Sequence, residues 1–251
     1  LYQINMAESY WNDGIHERIA VFDLYFRKMP FNSGYAVFNG LKRVVNFIEN
    51  FGFTNEDITY LKSIGYKEDF LNYLKDLKFT GNIKSMQEGE ICFGNEPLLR
   101  VEAPLIQAQL IETILLNIIN FQTLIATKAS RIRQIATHDT LMEFGTRRAQ
   151  EIDAALWGAR AAFIGGFDST SNVRAGKLFN IPVSGTHAHA LVQTYGDEYI
   201  AFKKYAERHK NCVFLVDTFH TLKSGVPTAI KVAKELGDTI NFIGIRLDSG
   251  D

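Results

Sequence analysis

Two histidines stand one residue apart in the stretch NIPVSGTHAHALVQ, residues 180–193, directly after a short apolar run and a Gly-Thr pair. Imidazoles this close either share a metal ion, or one carries chemistry while the other packs. A His-x-His pair at the end of a barrel strand supplies two metal ligands on one face, but the centre then needs further histidines or carboxylates from later strands. Of His16, His138, His209 and His220, only His220 falls at another candidate strand end, which weighs against a metal. Packing and loop hydrogen bonding is the reading for His187. Chemistry is the reading for His189, because polar clusters recur at equivalent points along the chain.

Those clusters are Gly145-Thr146-Arg147-Arg148, Asp168-Ser169-Thr170-Ser171-Asn172, Gly185 to His189, Asp217-Thr218-Phe219-His220, and Arg246-Leu247-Asp248-Ser249-Gly250-Asp251. Paired arginines, hydroxyls, an imidazole and carboxylates suit the handling of phosphate with magnesium. Arg147 and Arg148 read as opening a helix, where cations oppose the macrodipole. An anion shared between the guanidiniums and the helix start removes that conflict. Asp248 and Asp251 read either as a capping arrangement or as carboxylates for Mg2+ or a ribose diol. Arg246 alternates with Ile245 and Leu247 on a buried strand, a costly place for a charge unless it meets an anion or an acid. Asp217 and Thr218 leave two readings open, a site role and a turn cap, the cap being the commoner case for a strand-end Asp.

The elements that must position these groups follow from periodicity. Residues 1–103 read as an α+β domain. LYQINMAESYW has helical spacing, Ala20, Phe22, Leu24 and Phe26 alternate as a strand, and YAVFNGLKRVVNFIENF and EDFLNYLKDL read as helices. Several short strands separated by Gly, Asn and Pro turns follow in residues 82–104. From Pro104 a long helix runs to about Ala136, and short apolar runs then alternate with helices. That rhythm predicts a parallel sheet with right-handed crossovers, closed or half-closed as a barrel over 104–251. The fold expected is therefore α/β: an N-terminal sandwich-like α+β domain packed with an irregular, incomplete α/β barrel. Active-site residues would gather at the C-terminal ends of its strands.

Composition excludes several classes. The net charge is −1 over 251 residues, with 22% charged and 46% hydrophobic, so no general field for nucleic acid or an anionic membrane exists. The most apolar segment, residues 113–127, is free of charge for 15 residues and holds two Asn and a Gln. A bilayer span needs roughly 20 mostly apolar residues, so a buried core helix is expected. Cys92 and Cys212 stand alone in apolar contexts and build neither a disulfide framework nor a metal knuckle. They read as small buried hydrophobes of a reducing, cytoplasmic setting. No secretory leader is read, and both ends look cut, as in part of a longer polypeptide.

In combination, LYQINMAESYW, FDLYFRKMPFNSGYAVFNGL, EFGTRRAQ, GGFDSTSNV, PVSGTHAH, LVDTF and GIRLDSGD resemble nicotinate phosphoribosyltransferase, in order and across essentially the whole chain. The resemblance implies joining of nicotinate to phosphoribosyl pyrophosphate (PRPP), giving nicotinate mononucleotide and pyrophosphate with coupled ATP hydrolysis, on the Preiss–Handler route to NAD. It further implies Mg2+ and a homodimer. Carried over by position, His189 matches the histidine the family phosphorylates, and Thr186 and Arg246 match nicotinate-contacting positions. Tyr2 matches a tyrosine that crosses the dimer interface to the pyridine ring, and Phe144 a phenylalanine stacking on the opposite face. Asn172 falls near an aspartate of the nicotinamide-using relative, and an amide there spares an acidic substrate from repulsion. His220 departs from the pattern, because relatives often carry an acid there. The loop for the PRPP 5′-phosphate is expected beyond Asp251. Three rival readings stand beside this one: the nicotinamide-using relative, a metal-dependent barrel hydrolase using His187 and His189, and a non-catalytic scaffold.

Overall fold

The structure, a computed structural model, describes residues 1–249. Its mixed α/β chain divides by internal packing into two compact units, Leu1–Val183 and the part from Ser184 onward.

The first unit contains α1 (Tyr2–Asn12), β1 (Ile19–Leu24), β2 (Ala36–Val37), α2 (Leu41–Glu49), α3 (Asn55–Ser63), α4 (Glu68–Asp76), β3 (Asn82–Ser85), β4 (Ile91–Cys92) and β5 (Leu99–Pro104). After these come α5 (Leu105–Ile135), β6 (Met142–Glu143), α6 (Glu151–Ile164), β7 (Ser169–Thr170) and α7 (Val173–Phe179). Strands β1 and β3 flank β5 in an antiparallel sheet. The alternation expected in β1 is present, with Ala20, Phe22 and Leu24 half-buried and Ile19, Val21 and Asp23 exposed. The reading of residues 35–51 as one helix is corrected. Ala36 and Val37 pair with Cys92 and Ile91, and the helix starts only at Leu41. Gly40 marks the break, because its φ of +113° suits a residue without a Cβ.

Helix α5 is long and apolar enough, by length and composition, to cross a bilayer. In this fold it is a core helix. Ile106, Ile111, Leu115 and Ile119 join Phe38, Phe70, Leu74 and Val101 in the main core. A buried polar seam runs along it. Thr123 Oγ1 accepts the Asn39 N–H at 3.1 Å and donates to the Asn39 carbonyl at 3.2 Å. Thr127 Oγ1 accepts the Val37 N–H at 2.9 Å and donates to the Thr123 carbonyl at 2.6 Å. Beside the seam, Arg160 of α6 forks onto Glu88, Nη1 to Oε1 at 2.9 Å and Nη2 to Oε2 at 2.6 Å.

The second unit contains α8 (His189–Tyr195), α9 (Glu198–Ala206), β8 (Asn211–Leu215), α10 (Val226–Leu236) and β9 (Asn241–Arg246). Val192, Phe202, Cys212, Phe214, Val216, Ala229 and Val232 form its core. Cys92 and Cys212 are both free and buried, as expected. The β–α alternation predicted for the second half is present, but its strands form two two-stranded parallel sheets, β6–β7 and β8–β9, with one further parallel bridge from Thr170 to Val183. Among the described residues no sheet closes on itself. The shortfall at β7 has a local cause. The apolar run AFIGG, residues 162–166, is one of the short runs expected after Pro104. It continues α6 to Ile164 instead, so only Ser169 and Thr170 are left to pair.

Gly225, at the end of the π-type turn Thr221–Gly225 before α10, lets two backbones touch. A Cβ there would lie 1.8 Å from the Val216 carbonyl oxygen. Backbone cannot yield as a side-chain tip does, so Gly225→Ala is expected to destabilise the second unit by about 3 kcal/mol. The readout is a lower urea midpoint at unchanged m value.

Candidate active site

The ends of β8 and β9 build one cluster in the second unit. Asp217 follows β8 directly after Val216, and its side chain is only 2% exposed. Its Oδ2 accepts three hydrogen bonds from the loop after β9: the Asp248 N–H at 2.6 Å, the Ser249 N–H at 2.6 Å and the Ser249 hydroxyl at 3.0 Å. Its Oδ1 is buried without a hydrogen-bond partner. That orphan oxygen lies 3.8 Å from Nδ1 of His189, the first residue of α8. The same Nδ1 is 3.1 Å from Thr218 Oγ1, and Nε2 is 3.6 Å from Asp248 Oδ2. Burial pushes the Asp217 carboxyl upward, but the three donors outweigh it and hold the group below its ordinary range. At neutral pH it is a carboxylate.

Arg246 completes the network. Its Nη2 bonds Asp248 Oδ1, and its Nη1 donates to Thr186 Oγ1 at 3.0 Å. Its orientation follows the period-two alternation of β9, which continues unbroken past a register shift in the ladder. One extra β9 residue, Ile243, sits between the pairs Cys212–Phe242 and Val213–Gly244. Phe242, Gly244 and Arg246 share the more buried side, while Ile243 and Ile245 are exposed. The charge turns in and its apolar neighbour Ile245 turns out, the reverse of a strand with a solvated arginine.

The two histidines therefore part company. His187 is buried, and its Nε2 accepts the Leu215 N–H at 3.1 Å. Its ring lies 4.9 Å from Tyr205 and 5.8 Å from Phe202. With that nitrogen occupied, the pair offers no common metal vertex. Among the described residues no group of three or more His, Cys, Asp or Glu is placed to hold a metal ion by itself. His220 caps its own turn, accepting the Lys223 N–H at Nδ1.

Burial is the main influence holding the His187 imidazole below its ordinary pKa. The charges of Arg246 and His189 act in the same direction, and the Ala188 carbonyl opposes them. The folded state thus binds this proton less readily than the unfolded chain, whose imidazole titrates near ~6.5. The stability contribution is complete above about pH 6.5 and is lost as pH falls from there through the lower folded-state value. Urea unfolding at pH 7.5 and 5.5 is expected to show this loss in the wild type and a flatter response in His187→Gln.

The other expected residues among those described belong to the first unit. Arg147 and Arg148 do not open a helix. They close a short 3-10 turn, Thr146–Arg148, and α6 begins at Glu151 with Glu151 and Asp153 in its first turn. The acids satisfy the helix start, so the dipole conflict does not arise. Both arginines are exposed, and neither makes an ion pair among the described residues. Phe144 is half-buried just before that turn. Glu143 braces the segment, accepting the Gly145 N–H at Oε1 and the Thr170 hydroxyl at Oε2, 2.7 Å away. Asn172 is the N-cap of α7, its Oδ1 accepting the Ala175 N–H at 3.1 Å. Thr146 and Asn172 line a cleft of about 320 Å³. Asp168 precedes β7 rather than following it. It is taken up by Arg133 at 2.5 Å and the Leu141 N–H at 2.7 Å, a structural role. Tyr2 is exposed, with its hydroxyl 2.8 Å from Thr113 Oγ1. Asp251 lies outside the described residues.

Thr186, His189, Arg246 and Asp248 were expected together and are together. The sequence leaves Asp217 and Thr218 open, with capping the commoner case for the Asp; in the structure Thr218 bonds the His189 ring at 3.1 Å and the Asp217 carboxylate lies 3.8 Å from it. Their position at the end of β8 was the available signal.

Residues 1–120 match the family model for the nicotinate phosphoribosyltransferase (NAPRTase) N-terminal domain, and residues 140–251 that for the nicotinate phosphoribosyltransferase (NAPRTase) family. The chain is 69% identical to a nicotinate phosphoribosyltransferase of Bacillus subtilis, over 100% of this chain and 51% of that protein. Among solved structures it is similar to human nicotinic acid phosphoribosyltransferase, with TM-score 0.92 and 32% identity, covering 99% of this chain and 60% of that one. It is also similar to a nicotinate-nucleotide pyrophosphorylase from Pyrococcus furiosus, with TM-score 0.79 and 26% identity over 99% and 56% of the two chains. The chain spans about half the length of the curated relatives it matches.

Proposed function

Because this chain belongs to the nicotinate phosphoribosyltransferase family, we propose that the full protein converts nicotinate and PRPP to nicotinate mononucleotide and pyrophosphate. ATP is hydrolysed to ADP and phosphate in the same cycle. The protein would be a cytoplasmic homodimer of NAD biosynthesis. Residues 1–103 would be its N-terminal sandwich-like domain, and 104–251 the first part of an α/β barrel domain. The observation that carries this reading is the His189 imidazole seated between Asp217 and Asp248, with Arg246 fixed beside them.

Thr218 would accept the proton of His189 on Nδ1, with the negative Asp217 carboxylate behind it favouring that tautomer, leaving the Nε2 lone pair free. That nitrogen attacks the terminal phosphorus of ATP; an N–P bond forms and the P–O bond to ADP breaks. The phosphohistidine form binds PRPP, and hydrolysis resets the protein. In the transfer step the pyridine nitrogen attacks C1 of the ribose as pyrophosphate departs, so the protein's work is positioning and charge balance. Arg246, oriented in advance by Thr186 and Asp248, meets the nicotinate carboxylate. Asp248 Oδ2, the oxygen not taken by Arg246, is a hard donor that fits Mg2+ completed by substrate phosphates. Asp251 would be its companion. Such an ion supplies neutralisation of the leaving pyrophosphate. In the same reading Arg147 and Arg148 bind phosphate oxygens, and Phe144 and a partner's Tyr2 bind the pyridine ring. Asn172 presents the acidic substrate with an amide.

The test is product formation by the full-length protein from nicotinate and PRPP, with and without ATP and with nicotinamide as competitor. Nicotinate mononucleotide stimulated by ATP is expected. Exclusive use of nicotinamide, or no nucleotide at all, would overturn the reading.

A further inference from the structure

We propose that His187 is a positioning residue for the phosphoryl-accepting histidine: by accepting the Leu215 N–H it fixes the segment that carries both Thr186 and His189. The inference rests on the function proposed above for His189.

The geometry of β8 carries it. Val216 donates its N–H to the Arg246 carbonyl at 3.2 Å, so that N–H points toward β9. Successive amides of an extended strand point to opposite edges, so the Leu215 N–H points away from β9. There His187 Nε2 receives it at 3.1 Å, in the place a neighbouring strand's carbonyl would take. With Nε2 accepting, the ring proton sits on Nδ1, which faces the Ala188 carbonyl at 3.4 Å. Ala188 is the N-cap of α8, and His189 is its first residue. One ring therefore ties the end of β8 to the start of α8.

Contacts on either side show what this tie holds. One residue before it, Thr186 receives Arg246 at 3.0 Å; two residues after it, His189 meets Thr218 at 3.1 Å. Tyr205 and Phe202 close around the ring and set its plane. An apolar side chain of similar size would fill this pocket but leave the buried Leu215 N–H without an acceptor. Packing alone and positioning thus make different demands on the side chain.

The side-chain oxygen of glutamine reaches where Nε2 of histidine lies, and that of asparagine only where Nδ1 lies. In the full-length protein, transfer of label from γ-labelled ATP to His189 is expected to stay near the wild-type rate in His187→Gln. It should fall about 10- to 100-fold in His187→Asn and His187→Leu, the scale of a misplaced reacting group. The His189 ring resonances should move in those two variants and stay in place in the glutamine variant. Equal rates in all three, or rescue by asparagine as good as by glutamine, would overturn the proposal. If the wild type takes up no label, the function reading fails, and the His189 resonances alone decide: unmoved signals in His187→Asn would overturn the positioning role.

Discussion

His189→Gln is expected to abolish labelling of the protein by γ-labelled ATP and to remove the ATP-dependent stimulation of nucleotide formation. The stimulated rate should fall by about 10²-fold or more, as removal of an acting nucleophile does. The residual, ATP-independent rate should survive, because attack by the pyridine nitrogen requires no imidazole. The fold should survive as well. Asp217 is anchored through Oδ2 by the Asp248 and Ser249 amides and the Ser249 hydroxyl, none of which depends on His189. Label retained on the variant would move the phosphoryl acceptor elsewhere and undo the roles given to Asp217 and Thr218.

Arg160→Met is expected to lower the unfolding free energy by about 3–5 kcal/mol at neutral pH, the cost of stripping one partner from a buried ion pair. The Arg160 and Glu88 side chains are only 13% and 16% exposed. Burial alone would raise the Glu88 pKa. The forked guanidinium, with help from the Gly40 and Lys42 amides, more than reverses this and keeps it below the ordinary carboxylate range. The depressed pKa stabilises the fold above the unfolded value near ~4.3, and that part is lost as pH falls through the folded value. In Arg160→Met only the burial and the two amides remain, so Glu88 takes up a proton more readily. The gap between variant and wild type should therefore narrow as pH falls from 7 toward 5. Adding Glu88→Gln to Arg160→Met should recover part of the loss. Urea unfolding across that pH range checks both statements, and a constant gap would mean that Glu88 is not the group left uncompensated.

Much of the architecture was legible because its causes are local. Helices α1, α4 and α5 and strands β1, β8 and β9 follow from apolar spacing within one window. The misreadings have non-local or conformational causes. Ala36 and Val37 become strand only because Ile91 and Cys92, far along the chain, pair with them, and Gly40 then ends the extended run. The FIGG run looked like strand but is captured by α6, with Gly165 fitting against the Ala126 carbonyl of α5. At the site, residue types pointed to His189, Arg246 and Asp248. Spacing could not show that the Asp217 carboxylate spans to amides 31 and 32 residues ahead. Nor could it show the register shift at Ile243 in the β8–β9 ladder.

The threonine pair on α5 settles a question that its apolar residues leave open. A greasy cylinder can slide by a turn against a greasy wall and bury nearly the same area. Sliding α5 by one turn would strand the amides of Val37 and Asn39 together, so the two hydroxyls act as an index pin that admits a single axial setting. Everything hung from the two ends of that helix inherits the setting, which is why two side chains of modest size govern a length of chain far greater than their own.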